Sequence, residues 1–221
     1  MESDTQKKVL LGMPSGSGMV PLSMVQSLLQ LMKPIPCAFA TIERTRIDKA
    51  RNHIAKQALE GRFDYLFFVD DDNPVPPETL KLFIEDDKDI VIAPILTRNP
   101  DEHGRHQLCA FYKQERDVDG KKMILYQNIT DFKDGGPLHR IDAGGCGAML
   151  IKRRVLEAMY NKYRDFMFEF GNLNMGKERR TTSEDVEFCE RAINLGFELW
   201  LDDRVQPTHI SGSKAVQWKL K

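Results

Sequence analysis

Three consecutive aspartates, Asp70, Asp71 and Asp72, directly follow the apolar run YLFFV at residues 65–69. Adjacent like charges repel one another, so this arrangement favours a cation among them. Side chains alternate along extended backbone, which places Asp70 and Asp72 on one side and Asp71 on the other. Two converging carboxylates suit a hard divalent ion such as Mg²⁺ or Mn²⁺ that also binds phosphate oxygens. The alternative is an acidic turn with solvated side chains, because Asp and Asn are common turn residues.

A second acidic pair, Glu184 and Asp185, stands at the start of a helical pattern over residues 183–195. One interpretation makes one carboxylate a general base that accepts a proton from an attacking hydroxyl. The other interpretation is structural: Thr182 or Ser183 caps the helix, and the helix dipole favours the acidic residues in its first turn. The sequence leaves both interpretations open.

His209 lies in the segment VQPTHIS late in the sequence. An imidazole added to two carboxylates would shift an oxygen site toward transition metals such as Mn²⁺. The alternative is a structural or solvated histidine. The sequence therefore makes His209 a candidate metal ligand.

Arg51 and Asn52 belong to the predicted helix at residues 45–60, which precedes the aspartate strand. An arginine in this position could present its guanidinium to a diphosphate, for which its planar donors are well suited. The alternative is a set of solvated arginines on the outer face of the helix. No Rossmann fingerprint or P-loop offers another phosphate site, since residues 14–19 read PSGSGM.

The elements that must position these residues are alternating strands and helices, the signature of βαβ units in a largely parallel sheet. Ligands of such sheets bind beyond the carboxyl ends of the strands, where the aspartates stand. In the first half the pattern predicts strands at residues 9–13, 37–42, 65–69 and 89–93, and helices at 20–32, 45–60 and 78–85. In the second half it predicts strands at 108–113, 123–128, 198–201 and 205–210, helices at 153–161 and 183–195, and a Gly-Gly-Cys-Gly turn entering a strand within 141–151.

The composition predicts a single α/β domain in a reducing compartment. The chain has 221 residues, with 32 Lys and Arg against 33 Asp and Glu, so no strong attraction to nucleic acid or an anionic membrane is expected. Its four cysteines contain no C-x-x-C pair, which argues against a zinc site or a disulfide framework. No apolar run reaches the length of a membrane span, and we therefore predict a cytoplasmic protein.

Taken in order, these segments resemble the nucleotide-sugar-dependent glycosyltransferases of the GT-A fold, especially the family-two-like group. The resemblance covers about residues 9–212. It includes a D-x-D motif after a buried strand, a Gly-rich turn leading into an apolar strand (GGCGAMLIKRR), an E-D pair opening a helix, and a G-x-x-x-W stretch before a strand with histidine. The matching residues are Asp70-Asp71-Asp72, Glu184-Asp185, Gly196 to Trp200 and His209, with Ala50-Arg51-Asn52 matching an A-R-N motif.

The resemblance implies a metal-dependent enzyme that moves a sugar from a nucleoside-diphosphate donor to a hydroxyl-bearing acceptor, with inversion. It implies Mn²⁺ or Mg²⁺ bound by Asp70 or Asp72 and by His209, stabilising the departing nucleoside diphosphate. Asp185, with Glu184 beside it, would be the base. The donor site would be formed by Pro14, Glu43, Arg51, Asn52, Asp70 and Asp71.

The chain departs from the family in the turn after the second strand. Many members carry an acidic, Ser-rich turn that reads the base, whereas residues 41–45 here read TIERT. The donor nucleotide is therefore not predicted, and neither is the oligomeric state. We expect one domain over residues 1–221, with a nucleotide-binding half at about 9–95 and an acceptor half at about 105–212. The alternatives are a sugar-phosphate nucleotidyltransferase and a non-catalytic nucleotide- or carbohydrate-binding protein of the same fold.

Overall fold

The computed structural model describes residues 6–118, 121–133, 135–175, 178–211 and 214–217. The strands, in chain order, are β1 (Val9–Ser15), β2 (Cys37–Glu43), β3 (Tyr65–Val69), β4 (Ile90–Ile92), β5 (Ala110–Val118), β6 (Lys121–Asn128), β7 (Leu138–Ile141), β8 (Ala143–Gly144), β9 (Ala148–Lys152), β10 (Gly171–Met175), β11 (Glu178–Thr182), β12 (Leu199–Asp202), β13 (Thr208–Ser211) and β14 (Lys214–Gln217). The helices are α1 (Leu22–Gln30), α2 (Ile47–Glu60), α3 (Thr79–Glu85), α4 (Arg153–Tyr163) and α5 (Glu184–Asn194), with a 3-10 turn at Arg164–Phe166.

Seven strands form the central sheet in the order β2-β1-β3-β9-β4-β12-β7. The strands β1, β2 and β3 are parallel to one another, and β12 is parallel to β4. The strand β9 runs antiparallel to both β3 and β4, and β7 runs antiparallel to β12. Five of the seven strands therefore share one direction, which confirms the predicted α/β class with a mostly parallel central sheet.

The central strand β3 is buried on both faces because its five residues are all apolar or aromatic. Its alternating side chains divide the core into two clusters. Leu66 and Phe68 pack on one face, where α2, α4 and α5 contribute their apolar sides. Tyr65, Phe67 and Val69 pack on the other, with α1 and α3. Helices thus cover both faces of the sheet, as the continuous apolar run predicts.

Smaller sheets hold the remaining segments around the carboxyl end of β3. The strands β6, β5 and β8 form one sheet, while β10 with β11 and β13 with β14 form two antiparallel pairs. The backbone N–H of Ile210 donates to the carbonyl of Asp72 at 2.9 Å, and that of Thr208 donates to Pro74 at 3.0 Å. These bonds fix β13 beside the aspartate turn.

The structure corrects several sequence-based boundaries. The strand β5 begins at Ala110 and extends to Val118, beyond the predicted end at 113. The strand predicted at 205–210 begins only at Thr208, because residues 205–207 contain a proline that cannot donate to a ladder. The strands β7, β10, β11 and β14 were not predicted, since they are short and rich in polar residues. The turn predicted at 119–120 lies outside the described residues.

Candidate active site

The aspartate turn is held against the Gly-rich turn that precedes β9. The backbone N–H of Asp70 donates to the carbonyl of Gly147 at 3.0 Å, and that of Asn73 donates to Asp70 at 3.2 Å. A Cβ atom at Gly147 would lie 3.1 Å from Asn73 Nδ2 and 2.6 Å from Ile95 Cδ1. Position 147 therefore needs glycine because the two turns approach closely, which gives the Gly-rich motif a structural reason.

Asp71 turns toward β1. Ser15 Oγ donates to Asp71 Oδ2 at 2.6 Å and accepts from the backbone N–H of Gly18 at 3.0 Å. The carboxylate thereby fixes the loop after β1 to the end of β3. Asp71 thus has a bonded partner on β1, while its role toward a donor stays a prediction.

A buried arginine joins the two acidic segments of the sequence. Arg51 in α2 is only 2% exposed. Its Nε donates to Glu184 Oε1 at 3.1 Å, and its Nη2 lies 3.1 Å from Asp70 Oδ1 and 3.2 Å from Oδ2. Its Nη1 is buried without a hydrogen-bond partner in the described part of the chain. Arg51 therefore lies inside the acidic cluster and not on the outer face of the helix.

The electrostatics of this cluster follow from burial and opposite charge. Burial opposes the charged form of Arg51, but Asp70, Glu184 and other nearby groups outweigh it and raise its pKa. Burial raises the pKa of Asp70, and Arg51 partly offsets that rise. Burial likewise raises the pKa of Glu184, against the influence of Arg51. The guanidinium thus supplies the opposite charge beside the buried Glu184 and the half-buried Asp70.

Asp72 lies against His209 and Arg98. Its Oδ2 is 3.4 Å from His209 Nε2 and is also contacted by Arg98 Nη2. Burial opposes ionisation of Asp72, yet these two neighbours hold its pKa below the usual range. Burial also disfavours the charged His209, but the bonds to Asp72 and to the Leu96 carbonyl raise its pKa. The structure therefore brings together two of the three predicted metal ligands, while Asp70 is bound by Arg51.

The Asp72 and His209 pair has features that suit a metal ion. His209 Nδ1 lies 2.6 Å from the carbonyl of Leu96, and donation to that oxygen directs Nε2 toward Asp72. Such a backbone acceptor commonly fixes the tautomer of a histidine ligand. Across the described residues, however, no group of three His, Cys, Asp or Glu side chains is arranged to hold a metal ion. A cation here would take two protein ligands and fill its remaining positions with water or phosphate oxygens.

Asp185 opens α5 but does not cap it. The N-cap residue Ser183 makes no side-chain capping bond, and the buried Thr182 Oγ1 has no partner among the described residues. The side-chain capping bond expected from Thr182 or Ser183 is therefore absent among the described residues, while Ser183 does occupy the N-cap position and the acidic residues do lie in the first turn of the helix. Asp185 Oδ1 accepts from the backbone N–H of Val186 at 2.8 Å. Its Oδ2 would lie 3.6 Å from a Cβ at Gly145, so this oxygen faces a position where no side chain stands.

Two further residues predicted for the donor site, Pro14 and Glu43, lie in β1 and β2. Pro14 is buried in β1, where it pairs with Ile42 of β2. Glu43 ends β2, and its Oε2 is 3.0 Å from where a Cβ of Gly18 would stand. Glu43 therefore adjoins the same loop that Asp71 holds.

Asn52 is engaged with the protein itself. Its Nδ2 donates to the carbonyls of Asp48 and Phe168 at 2.9 and 2.7 Å, and its Oδ1 accepts from the Phe168 N–H at 3.0 Å. These bonds tie α2 to the segment before β10. The carboxamide thus has a structural role that sequence reasoning did not foresee.

Sequence reasoning missed Arg98 and Ser15 as members of the site. Arg98 lies in the loop after β4, and Ser15 ends β1. Neither belongs to a motif with a recognisable spacing. Only the fold, which brings these loops to the carboxyl edge of the sheet, could have identified them.

The described residues contain no helix that is long and apolar enough to cross a membrane. No family model matches the chain, and no curated protein matches it in sequence. Solved structures provide the available comparison.

The protein has the fold of A197 from STIV. The crystal structure of A197 aligns with a TM-score of 0.58 at 16% identity, covering 97% of this chain and 95% of A197. This likeness extends over nearly the whole of both chains. At this identity the comparison concerns the fold alone.

Similar structures also include S. aureus TarS, at lower scores. TarS 1–349 in complex with UDP-GlcNAc aligns with a TM-score of 0.48 at 14% identity, over 97% of this chain and 58% of TarS 1–349. TarS 1–349 in a second crystal structure gives 0.47 at 15% identity, over 89% and 60%. This chain thus spans less than two thirds of those TarS chains.

Proposed function

We propose that this protein is a glycosyltransferase that transfers a sugar from a nucleoside-diphosphate donor to a hydroxyl acceptor. The observation that carries the proposal is the convergence of two acidic segments on Arg51 at the carboxyl edge of the sheet. This convergence brings Asp185 to the same edge as the aspartate turn. This arrangement supports the proposal, because a group-transfer reaction requires the phosphate-binding residues and the base to lie close together.

In the proposed reaction Asp185 is the base. Its Oδ2 faces Gly145, which has no side chain to separate this oxygen from an acceptor. The acceptor hydroxyl gives its proton to this carboxylate, and its oxygen forms a bond to the anomeric carbon of the donor sugar. The bond from that carbon to the phosphate oxygen breaks, and the nucleoside diphosphate leaves with the electron pair. A positioned base of this kind contributes about 10²- to 10⁴-fold to the rate.

The residues near Asp72 would hold the diphosphate end of the donor. Arg98 supplies a guanidinium, a donor group that suits phosphate oxygens. Asp72 and His209 would hold Mn²⁺ or Mg²⁺, and such an ion supplies positive charge to the leaving diphosphate when it is bound. The loop of residues 15–18, fixed by Asp71 and adjoining Glu43, would contact the nucleoside.

Thermal unfolding with nucleotide sugars tests the donor site. The panel contains UDP-, GDP-, CMP-, ADP- and dTDP-linked sugars, each with Mn²⁺ and with EDTA. At a hundredfold excess over Kd, a ligand should stabilise the protein by about 2.7 kcal/mol, a rise in Tm of roughly 5–10 °C. We expect such a rise with one nucleotide, larger with Mn²⁺. The absence of any shift across the panel would rule out the donor site.

The variant Asp185→Asn tests the base. We expect it to lower release of nucleoside diphosphate at least about 100-fold while the Tm shift with donor is unchanged. Glu190→Gln is the matched control, because it changes a carboxylate on the same helix that pairs with Lys113. Unchanged turnover in Asp185→Asn would contradict the assignment of the base. Release of pyrophosphate from a nucleoside triphosphate would favour a nucleotidyltransferase, and binding without turnover would favour a binding protein.

A further inference from the structure

Helix α1 exposes a row of large apolar side chains to solvent. Leu22 is 86% exposed and Leu29 is 79% exposed. The segment from Met19 to Met32 contains no charged residue. Together with an exposed phenylalanine of β2 these side chains form what we call the α1–β2 surface, which consists of Met19, Leu22, Val25, Leu29, Met32 and Phe39.

The polar side chains of α1 show how the helix is oriented on the sheet. The opposite, polar flank of α1 lines a cavity of about 250 Å³ together with the loop that follows β3. The strands β3 and β2 lie on opposite sides of β1. Since the polar flank faces the loop after β3, the exposed apolar side chains of α1 lie on the sides of the helix that face away from that loop. The polar side chains of α1 in that cavity are Ser23, Gln26, Ser27 and Gln30.

Phe39 lies on the same face of the sheet as α1. Cys37, two residues earlier in β2, packs against the core cluster that contains α1 residues. Ala40 and Ile42 pack against the cluster on the other face. Because side chains alternate along a strand, Phe39 shares the face of Cys37. The face of the sheet that α1 covers therefore also carries Phe39, which is 52% exposed on the edge strand.

The strand β2 is an unprotected edge of the central sheet. Within the described residues it pairs only with β1. Edge strands of monomers are usually blunted by charges, prolines or bulges. Residues 37–42 read CAFATI and contain no charged residue or proline, and the single charge of β2 is Glu43 at its carboxyl end. This edge can therefore accept another strand.

The sequence of β2 is complementary to itself. Antiparallel pairing about a two-fold axis at Ala40 places Phe39 opposite Thr41 of a second copy and Cys37 opposite Glu43. No like charges face each other in this register, and the small Ala40 lies at the axis. Aromatic residues beside β-branched ones are favourable cross-strand pairs.

We propose that the α1–β2 surface binds a second copy of this chain, with the two β2 strands pairing antiparallel across a two-fold axis. The six apolar side chains are between 38% and 86% exposed. Burying them together with the edge of β2 would supply a large part of the roughly 800 Å² per partner that a stable interface buries. A membrane is the less suitable occupant, because interfacial helices carry Lys and Arg on their polar face and α1 carries Ser and Gln there. A two-fold dimer is also the commonest closed assembly.

Sedimentation of the full chain at about 1 to 100 µM tests the dimer. We expect a dimer whose Kd rises at least about tenfold in Phe39→Lys and in Leu29→Lys. Phe166→Lys is the matched control, since Phe166 is an exposed aromatic residue outside this surface. Circular dichroism checks that each variant is folded. A monomer at every concentration, or a dimer that Phe39→Lys and Leu29→Lys leave intact, overturns the proposal.

Disulfide crosslinking tests the register. In Ala40→Cys the two Cα atoms would be about 4.5–5.5 Å apart, within the range that a disulfide spans. In Ala38→Cys the two Cα atoms would be about 13 Å apart, beyond that range. We expect an oxidised dimer on non-reducing gels for Ala40→Cys and none for Ala38→Cys or the unchanged protein. Equal crosslinking of both variants, or none for Ala40→Cys, overturns the strand pairing.

Discussion

At the scale of single residues, the site depends on one buried cation among several carboxylates. Arg51 contacts Asp70 and Glu184, which are far apart in sequence and both partly desolvated. The repulsion expected between neighbouring aspartates is thus offset in part by an arginine from a preceding helix. We therefore expect Arg51 to stabilise the fold, whether or not a metal ion also binds.

Replacing Arg51 should destabilise the fold. In Arg51→Met two carboxylates remain buried without their partner, and we expect a loss of about 3–5 kcal/mol in the free energy of unfolding. Urea unfolding at pH 7 measures it. Lys49→Met, at an exposed position of the same helix, should change stability by less than about 0.5 kcal/mol.

A triple variant separates the effect of the unpaired charges on stability from the effect of the lost packing. Adding Asp70→Asn and Glu184→Gln to Arg51→Met removes the unpaired charges, and part of the lost stability should return. If Arg51→Met alone were as stable as the unchanged protein, the ion pairs would not contribute to the fold.

The sequence predicted the types of the site residues better than their contacts. Asp72 lies beside His209, whereas Asp70, which was predicted as a metal ligand with them, is bound by Arg51. The bonds of Asp70 to Arg51 and of Asn52 to Phe168 were not predictable, because a helical pattern shows which face is apolar but not which polar residue turns inward. Arg98 was not predictable either, since its loop has no regular pattern.

At the scale of elements, close packing of α2 on β1 sets the position of Arg51. A Cβ at Gly12 of β1 would lie 2.5 Å from Ile54 Cγ2 of α2 and 3.3 Å from Leu66 Cδ1 of β3. Glycine at this position lets the helix approach the strand. The main elements were predictable because their apolar periodicity is strong, whereas β10 and β11 are polar and form only through pairing with each other.

Adding a methyl group at Gly12 should therefore be costly. In Gly12→Ala the new Cβ overpacks the interface with the buried Ile54, and we expect a loss of about 1–3 kcal/mol. Gly16→Ala is the matched control: no atom lies within 4 Å of its added Cβ, so a change below about 0.5 kcal/mol is expected. Urea unfolding compares the two variants, and equal stabilities would show that α2 adapts without cost.

At the scale of the whole molecule, the two halves expected from the sequence share one sheet. The strand β9 of the second half lies between β3 and β4 of the first half, and β12 lies next to β4. This order could not be predicted from periodicity, because periodicity shows that a strand exists but not which strand it joins. Removing the second half would expose the apolar edges of β3 and β4, so the first half should not fold alone.

Two measurements examine this interdependence. Both tryptophans, Trp200 and Trp218, follow the first half in the sequence, so their fluorescence reports on the chain beyond that half, while far-UV circular dichroism reports on the whole chain. We expect the two signals to give the same midpoint in urea, as a two-state transition requires. A fragment of residues 1–105 should show no cooperative transition, because it lacks β9, whose residues Ala148 to Ile151 are buried between its neighbours. Separate midpoints, or a cooperatively folded fragment, would show instead that the first half is an independent folding unit.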